Sequence, residues 1–391
     1  MRGHITKRGK DSYTVVINLG SDPATGKRKQ QWVSVKGTKK DAEKKLGEIL
    51  HQIDTGVFTK PGKTRVGDYL EQWLKDYCWA NLTPGTAESY QWIVRVHLIP
   101  AIGQLLLTDL KPQHLQHLYS EKLSSTRKDG NGLLSTRTVQ YMHVTLHKAL
   151  SDALKLGMIS RNPAEAVERP RTRRRGFQIM NEKEIMLFLE LAKSTPYYSL
   201  FYLVIFTGLR RSELLALNWS DVDLILCQLS ISKTIHHLHD GQTIFAQPKT
   251  AKGRRLIALS PSTVAVLREE YNAQAELKKA LGMEISDDDL IFCHIDGSPL
   301  LPDTISHVWI RLAKRCGLDG VRLHDCRHTH ASLLLKQNIH PKVVSERLGH
   351  ASVQITLDTY SHVTPGLQQA AANRFDDIVL PDKKLLPETV G

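Results

Sequence analysis

Cysteine is scarce in this 391-residue chain: the five present (Cys78, Cys227, Cys293, Cys316, Cys326) are scattered, odd in number and without a CxxC pair. Such a set argues against a disulfide framework or a zinc site and for buried, reduced thiols. Long apolar runs are missing too. The longest, Tyr197 to Phe206 (YYSLFYLVIF), is about half of what a membrane crossing needs, so no membrane partner is expected. The N-terminus MRGHITKRGK leads into polar residues where a secretory signal would continue as an apolar segment, which points to the cytoplasm. No repeat of 20–50 residues is present, which excludes a solenoid. Also absent are GxxxxGKS/T, GxGxxG after a strand, HExxH and GxSxG, so nucleotide hydrolysis, dinucleotide chemistry, zinc proteolysis and the serine elbow lose support.

Acidic charge is in deficit, with 40 Asp and Glu against 53 Lys and Arg, a net charge of +13. The excess is uneven: residues 1–60 hold thirteen Lys/Arg and six Asp/Glu. A segment of that kind attracts a polyanion, because each neutralised phosphate releases counterions. Composition is otherwise that of a folded protein, and the length suits two or three domains.

Tyr13 to Leu19 (YTVVINL) reads as a strand, SDPATGKRK as a basic turn containing Lys27, Arg28 and Lys29, and Gln31 to Val35 as a returning strand. Thr38 and Asp41 then form a capping box. Ala42, Leu46, Ile49, Leu50 and Ile53 recur at helical spacing up to Gly56. Residues 1–56 are therefore expected to be a small sheet packed by one helix, followed by a Pro/Gly linker at 57–63.

Amphipathic helices read from Val66 to Tyr77, Thr86 to Leu98, Lys111 to Leu123 and Ser135 to Leu156, with loops at LIPAIG and RKDGNG, making 64–165 all-helical. Trp73, Trp79 and Trp92 are expected in its core. Residues 166–176 form a basic linker in which Arg173, Arg174 and Arg175 are candidates for crossing a DNA backbone. From Phe177 the pattern turns mixed: helices, strand-like runs at Leu229–Ile235, Arg255–Leu259 and DLIFCH, and then more helices to about 380. The tail 381–391 is expected to be loose.

Three blocks in the last region carry the chemistry: TGLRRSEL around Arg210, HDCRHTH from His324 through Arg327, and LGH ending at His350 and followed by Tyr360. They offer guanidinium, imidazole and phenol, and no carboxylate pair. Two arginine forks can neutralise a five-coordinate phosphorane without a metal ion. The nearby acids Glu213, Asp325 and Asp358 are too dispersed for a two-metal site. The nucleophile must then be water or a side chain, and Tyr360 is the obvious candidate. A leaving 5′ oxygen needs a proton, and Lys249, between TIFAQ and RRLIAL, reads as lying on a mobile hairpin turn that could deliver it. The His143/His147 pair and the His236–His239 run lack Cys or Glu partners and read as surface histidines.

TGLRRSELLALNW, LHDCRHTHAS and LGHASVQITLDTYSHV resemble the motifs of the tyrosine recombinase family, the phage-type and conjugative-transposon integrases. The key residues are spaced 117, 23 and 10 positions apart (Arg210, Arg327, His350, Tyr360), in the family's order. The resemblance extends over nearly the whole chain. It implies a small α+β arm-type DNA-binding domain of three strands and a helix, an all-α core-binding domain, and a mainly-α catalytic domain with a small antiparallel sheet. It implies Arg210 and Arg327 as phosphate clamps assisted by His350, Lys249 as general acid, His324 as proton acceptor for the phenol, and Tyr360 as nucleophile.

The implied activity is integration and excision of a mobile element through a 3′-phosphotyrosyl intermediate and a Holliday junction. Metal, ATP and other cofactors are not required. The implied partners are double-stranded DNA with core and arm sites, a homotetramer on that DNA, an excisionase and a host DNA-bending protein, in a bacterial cytoplasm at the nucleoid. Two alternatives keep the same scaffold: a type IB topoisomerase-like enzyme that relaxes supercoils, and a DNA-binding factor without catalysis.

Overall fold

The computed structural model describes residues 3–21, 26, 28–54, 63–127, 130, 132–172, 176–248, 251–360 and 367–379. The chain divides into two units, Met1–Arg174 and Arg175–Gly391. Lys27, Arg173, Arg174, Arg175, Lys249 and the tail 381–391 lie outside the described residues, as does most of the linker 57–63. No described helix is long and apolar enough to cross a membrane.

The first unit opens with three antiparallel strands in the order β1 (Gly3–Gly9), β2 (Ser12–Ser21), β3 (Arg28–Lys36). Arg28 and Lys29 therefore begin a strand. Ile5 pairs with Val15 and Val15 with Val33, which lines up one apolar face. Helix α1 (Lys39–Asp54) covers that face, burying Ala42 and Ile49 against Val15 and Ile17. On the other face Trp32 stays half exposed beneath the Arg8 guanidinium. β1 carries a single aliphatic residue, Ile5, which is why its own residues give no strand signal and only the family resemblance implies it. The capping box forms as expected: the Thr38 N–H donates to Asp41 Oδ2 at 2.8 Å, and the Asp41 N–H donates to Thr38 Oγ1 at 3.3 Å.

A second, separate hydrophobic cluster gathers the helices of the same unit. α2 (Val66–Trp73) runs through a wider π turn at Leu74–Cys78 into α3 (Trp79–Asn81), and α4 (Pro84–Ile93) through another at Val94–Leu98 into α5 (Ile99–Ile102). α6 (Pro112–Ser124) and α7 (Thr136–Lys155) complete it. LIPAIG is therefore helical where a loop was expected: Pro100 sits in a first turn, whose N–H groups need no intrahelical acceptor. Trp73 is buried and donates to Asp152 at 2.9 Å. Trp79 and Trp92, expected in the core, are nearly half exposed. His143, read as a surface residue, is buried and hydrogen-bonded to the Tyr119 hydroxyl.

The second unit packs its main core around α8 (Glu182–Ala192) and the almost wholly apolar α9 (Tyr198–Thr207), followed by a single turn, α10 (Arg211–Leu214). Its strands are β4 (Val222–Asp223), β5 (Gln228–Ile231), β6 (Thr234–His237), β7 (Thr243–Ala246) and β8 (Arg255–Ala258). They form two antiparallel sheets, β4-β5-β8 and β6-β7. Helices α11 (Pro261–Ala280), α12 (Pro302–Arg315), α13 (Asp325–Lys336), α14 (Pro341–Leu348), α15 (Val353–Tyr360) and α16 (Leu367–Val379) follow. DLIFCH, expected as a strand, makes only isolated bridges at Leu290 and Cys293, so its apolar residues serve as core filling without a ladder.

Candidate active site

The site grows from the ends of two helices. α9 and α14 both stop at a glycine in the left-handed region, Gly208 and Gly349, each with φ of 67°. A helix end leaves its last carbonyls without intrahelical partners. Here side chains take them up. Arg327, on α13 and 3 % exposed, donates from Nη1 to the Gly208 carbonyl at 3.0 Å and from Nη2 to the Leu348 carbonyl at 2.6 Å. Arg210 donates from Nη2 to the next carbonyl along, Gly349, at 3.1 Å. The two guanidinium groups thus converge on adjacent peptide units, and His350 is the following residue.

Beneath the arginines lies Glu213, which is 1 % exposed. It accepts from Arg210 Nη1 at 2.6 Å and from both ends of the Arg255 fork, at 3.1 and 3.0 Å. It also accepts from the Arg210 backbone N–H, closing the first turn of α10. Burial pushes the Glu213 carboxyl up, but Arg255 and then Arg210 pull harder and hold it below the usual carboxylate range. Glu213 is thus an ionised counter-charge that fixes Arg210 in place. It leaves Arg327 with no carboxylate partner of its own among the described contacts. Burial, and then the nearby charge of Arg210, lower the Arg327 guanidinium to about 9. That is the signature of a cation built for an absent anion.

Arg347 ties the same elements together, donating to the carbonyls of Ala258 and Phe206 and to His330 Nε2, while His330 Nδ1 pairs with the Ile205 carbonyl. Burial and the Arg347 charge lower the His330 imidazole to about 3, so it serves as a neutral brace. Arg211, beside Arg210, turns away to the Pro302 carbonyl and Ser306 at the start of α12. His350 is held by the buried Thr356 through Nδ1 at 2.8 Å, and burial with the charges of Arg327 and Arg210 lowers it to about 3. It enters the site as a neutral imidazole.

Tyr360 ends α15 and is 1 % exposed, packed with Ala331, Val344, Leu348 and Phe177. Burial raises its phenol to about 12, against the downward pull of Arg327. The resemblance gave its proton to His324, but the hydroxyl is hydrogen-bonded to His328 Nδ1 at 2.8 Å. His324 stays solvent-exposed at the N-terminus of α13, with its imidazole lowered by surrounding protein and by Arg327. Its ring meets the edge of His328 at 5.3 Å.

Lys249 lies outside the described residues, and its expected hairpin is corrected by what flanks it. β7 pairs with β6 and β8 with β5, so the hairpin turn falls at residues 238–242, where the Leu238 N–H donates to the Gln242 carbonyl. Lys249 belongs to the return segment between β7 and β8. Sequence reasoning passed over Glu213, Arg255, Arg347 and His328 as site residues. Of these, His328 had a readable signal, one helical turn after His324.

The geometry carries a stability prediction. A Cβ on Gly208 would lie 2.6 Å from Leu348 Cδ2, at a backbone conformation that L-residues avoid. Gly208→Ala is expected to lower unfolding free energy by about 1–3 kcal/mol in denaturant titration. An unchanged midpoint contradicts the tight junction between α9 and α14.

Residues 178–366 match the phage integrase family, residues 66–123 the phage integrase N-terminal SAM-like domain, and residues 4–53 an arm DNA-binding domain. Among curated proteins, the ICEBs1 integrase of Bacillus subtilis is 29 % identical over 379 residues, covering 96 % of this chain and 100 % of the relative. A tyrosine recombinase XerC-like protein of Caldanaerobacter subterraneus is 26 % identical over 394 residues, covering 96 % of this chain and 98 % of that one. Among solved structures, the Tn1549 transposon integrase in complex with a circular intermediate DNA matches with a TM-score of 0.66 at 19 % identity, covering 80 % of this chain and 100 % of that one. A lambda integrase tetramer bound to a Holliday junction matches with a TM-score of 0.54 at 19 % identity, covering 89 % of this chain and 95 % of that one.

Proposed function

Because the chain belongs to the phage integrase family of tyrosine recombinases, and is thus a site-specific recombinase, we propose that Tyr360 cuts DNA by attacking a phosphate held between Arg210 and Arg327. The observation that carries this reading is the convergence of the two arginine forks on the adjacent carbonyls of Leu348 and Gly349. Each fork has five N–H donors and spends two of them on the protein contacts described, leaving the rest for phosphate oxygens. Two fixed positive charges then meet the charge that builds on the pentacovalent phosphorus, the work a metal ion does elsewhere.

The product is a 3′-phosphotyrosyl bond and a free 5′-hydroxyl. The bond energy is kept in the covalent link, so ATP is not needed. Attack by the partner strand's 5′-hydroxyl reverses the step, and two rounds pass through a Holliday junction. The likeness to the lambda integrase tetramer on such a junction supports this assembly for the present chain. The neutral His350 contributes a hydrogen bond at the phosphate, and Lys249 protonates the leaving oxygen. The helical part of the first unit holds core DNA and the basic sheet of residues 1–56 holds arm sites. Lys27, Arg28, Lys29, Arg173, Arg174 and Arg175 contribute phosphate contacts, and an excisionase and a host bending protein set the direction.

The test is covalent trapping. The full-length protein is incubated in EDTA with nicked duplex from the ends of the element that carries its gene. The expected result is a protein–DNA adduct that survives denaturation and leaves a 5′-hydroxyl strand. Cleavage that needs a divalent ion and forms no adduct overturns the proposal, as does binding to that DNA without cleavage.

A further inference from the structure

We propose that His328 is a further catalytic residue, whose Nδ1 takes the proton from the Tyr360 hydroxyl as the phenol oxygen attacks. The inference rests on the reading of Tyr360 as nucleophile. It starts from the 2.8 Å hydrogen bond between the two groups in a place where Tyr360 is almost fully buried. A buried phenol needs a partner for its hydroxyl, and a backbone carbonyl would satisfy it without chemistry. Here the partner is an imidazole set in a built position. The His328 ring stacks on Phe177 at 4.4 Å and 15°, and Phe177 meets Tyr360 edge-on at 5.6 Å. The Met180 N–H donates to Thr329 Oγ1 at 3.1 Å, which pins the segment carrying Phe177 to the helix carrying His328. Phe177 thereby holds the imidazole plane while leaving its Nδ1 edge to the phenol.

The protonation states fit the role. Burial, and next the neighbouring His324, keep His328 neutral, with its pKa down at about 4, so its lone pair is free to accept. Proton transfer from a resting phenol to such a ring is uphill. It becomes favourable only as the oxygen–phosphorus bond forms and the phenol loses its basicity, while the arriving phosphate stabilises an imidazolium. The step balances: the phenol O–H and the P–O5′ bonds break, the phenol O–P bond forms, and the proton rests on Nδ1. The leaving oxygen takes its proton from a separate donor. In rejoining, the imidazolium returns its proton to the phenol.

Single-turnover adduct formation on the nicked duplex tests the assignment. Asparagine places its amide oxygen near the position of Nδ1, keeping the hydrogen bond but unable to carry the proton. His328→Asn is expected to slow adduct formation about 100-fold or more with DNA binding unchanged. His324→Asn is expected to slow it less. A purely structural His328 would be restored by asparagine, so a wild-type rate in His328→Asn overturns the inference. If asparagine prevents folding, Phe177→Leu decides the matter: an approximately tenfold slower rate supports it and a wild-type rate overturns it. A wild-type protein that forms no adduct overturns the proposed function itself, which separates the two failures.

Discussion

Tyr360→Phe is expected to abolish the covalent adduct, with a fall on the order of 10⁴-fold or more in strand cleavage, while binding to the same duplex persists. The substitution removes one oxygen from a side chain that is 1 % exposed and leaves its ring packing against Phe177 and Leu348 intact. The structural cost is a single hydrogen bond to His328, about 1 kcal/mol. A gel-shift measurement beside the denaturing adduct assay separates these effects. Water as the nucleophile predicts the opposite pattern, in which the phenylalanine variant still cuts and neither protein forms an adduct. Loss of binding together with cleavage would make Tyr360 a structural residue.

What was legible in the sequence follows the range of the interactions. The capping box at Thr38 and Asp41 and the apolar spacing of α1 are set within four residues, and both form as read. Arg210, Arg327, His350 and Tyr360 stood out because each lies in a block whose neighbours serve a local purpose. Gly208 and Gly349, for example, end helices in a left-handed turn that places the next residues. Glu213 was visible only as an isolated acid. Its role depends on Arg255, forty-two residues away and brought beside it by β8.

The phenol's partner was misassigned for a related reason. His324 and His328 both lie near the start of one helix, and only the packing of Phe177 against His328 decides which ring meets Tyr360. Trp79 and Trp92 show the limit of periodicity: the π turns that follow α2 and α4 shift the facing of the residues around them, and both indoles emerge exposed. In the same way, the break between β5 and β6 splits one apolar run between two sheets, which moves the hairpin turn away from Lys249.

Arg327→Met is expected to lower cleavage by about 10³-fold or more while leaving the melting temperature unchanged or higher. The two effects have opposite signs for one reason. A guanidinium lowered to about 9 is more weakly protonated in the fold than in the open chain, so its charge opposes folding at neutral pH. The sign follows from linkage: the unfolded chain binds the proton more tightly, and this group's penalty shrinks as pH rises through 9. Methionine fills much of the same space and removes both the desolvation cost and the repulsion from Arg210. What it gives up is two hydrogen bonds to helix-end carbonyls, at Gly208 and Leu348, each worth about 0.5–1.5 kcal/mol. The phosphate is the charge that Arg327 lacks in the resting protein, so the energy withheld from folding is released on binding and most fully as charge builds on phosphorus. Thermal unfolding and single-turnover cleavage of the same preparation check both halves. A variant that is strongly destabilised, or one that cleaves at the wild-type rate, refutes the view of Arg327 as a cation held ready for DNA.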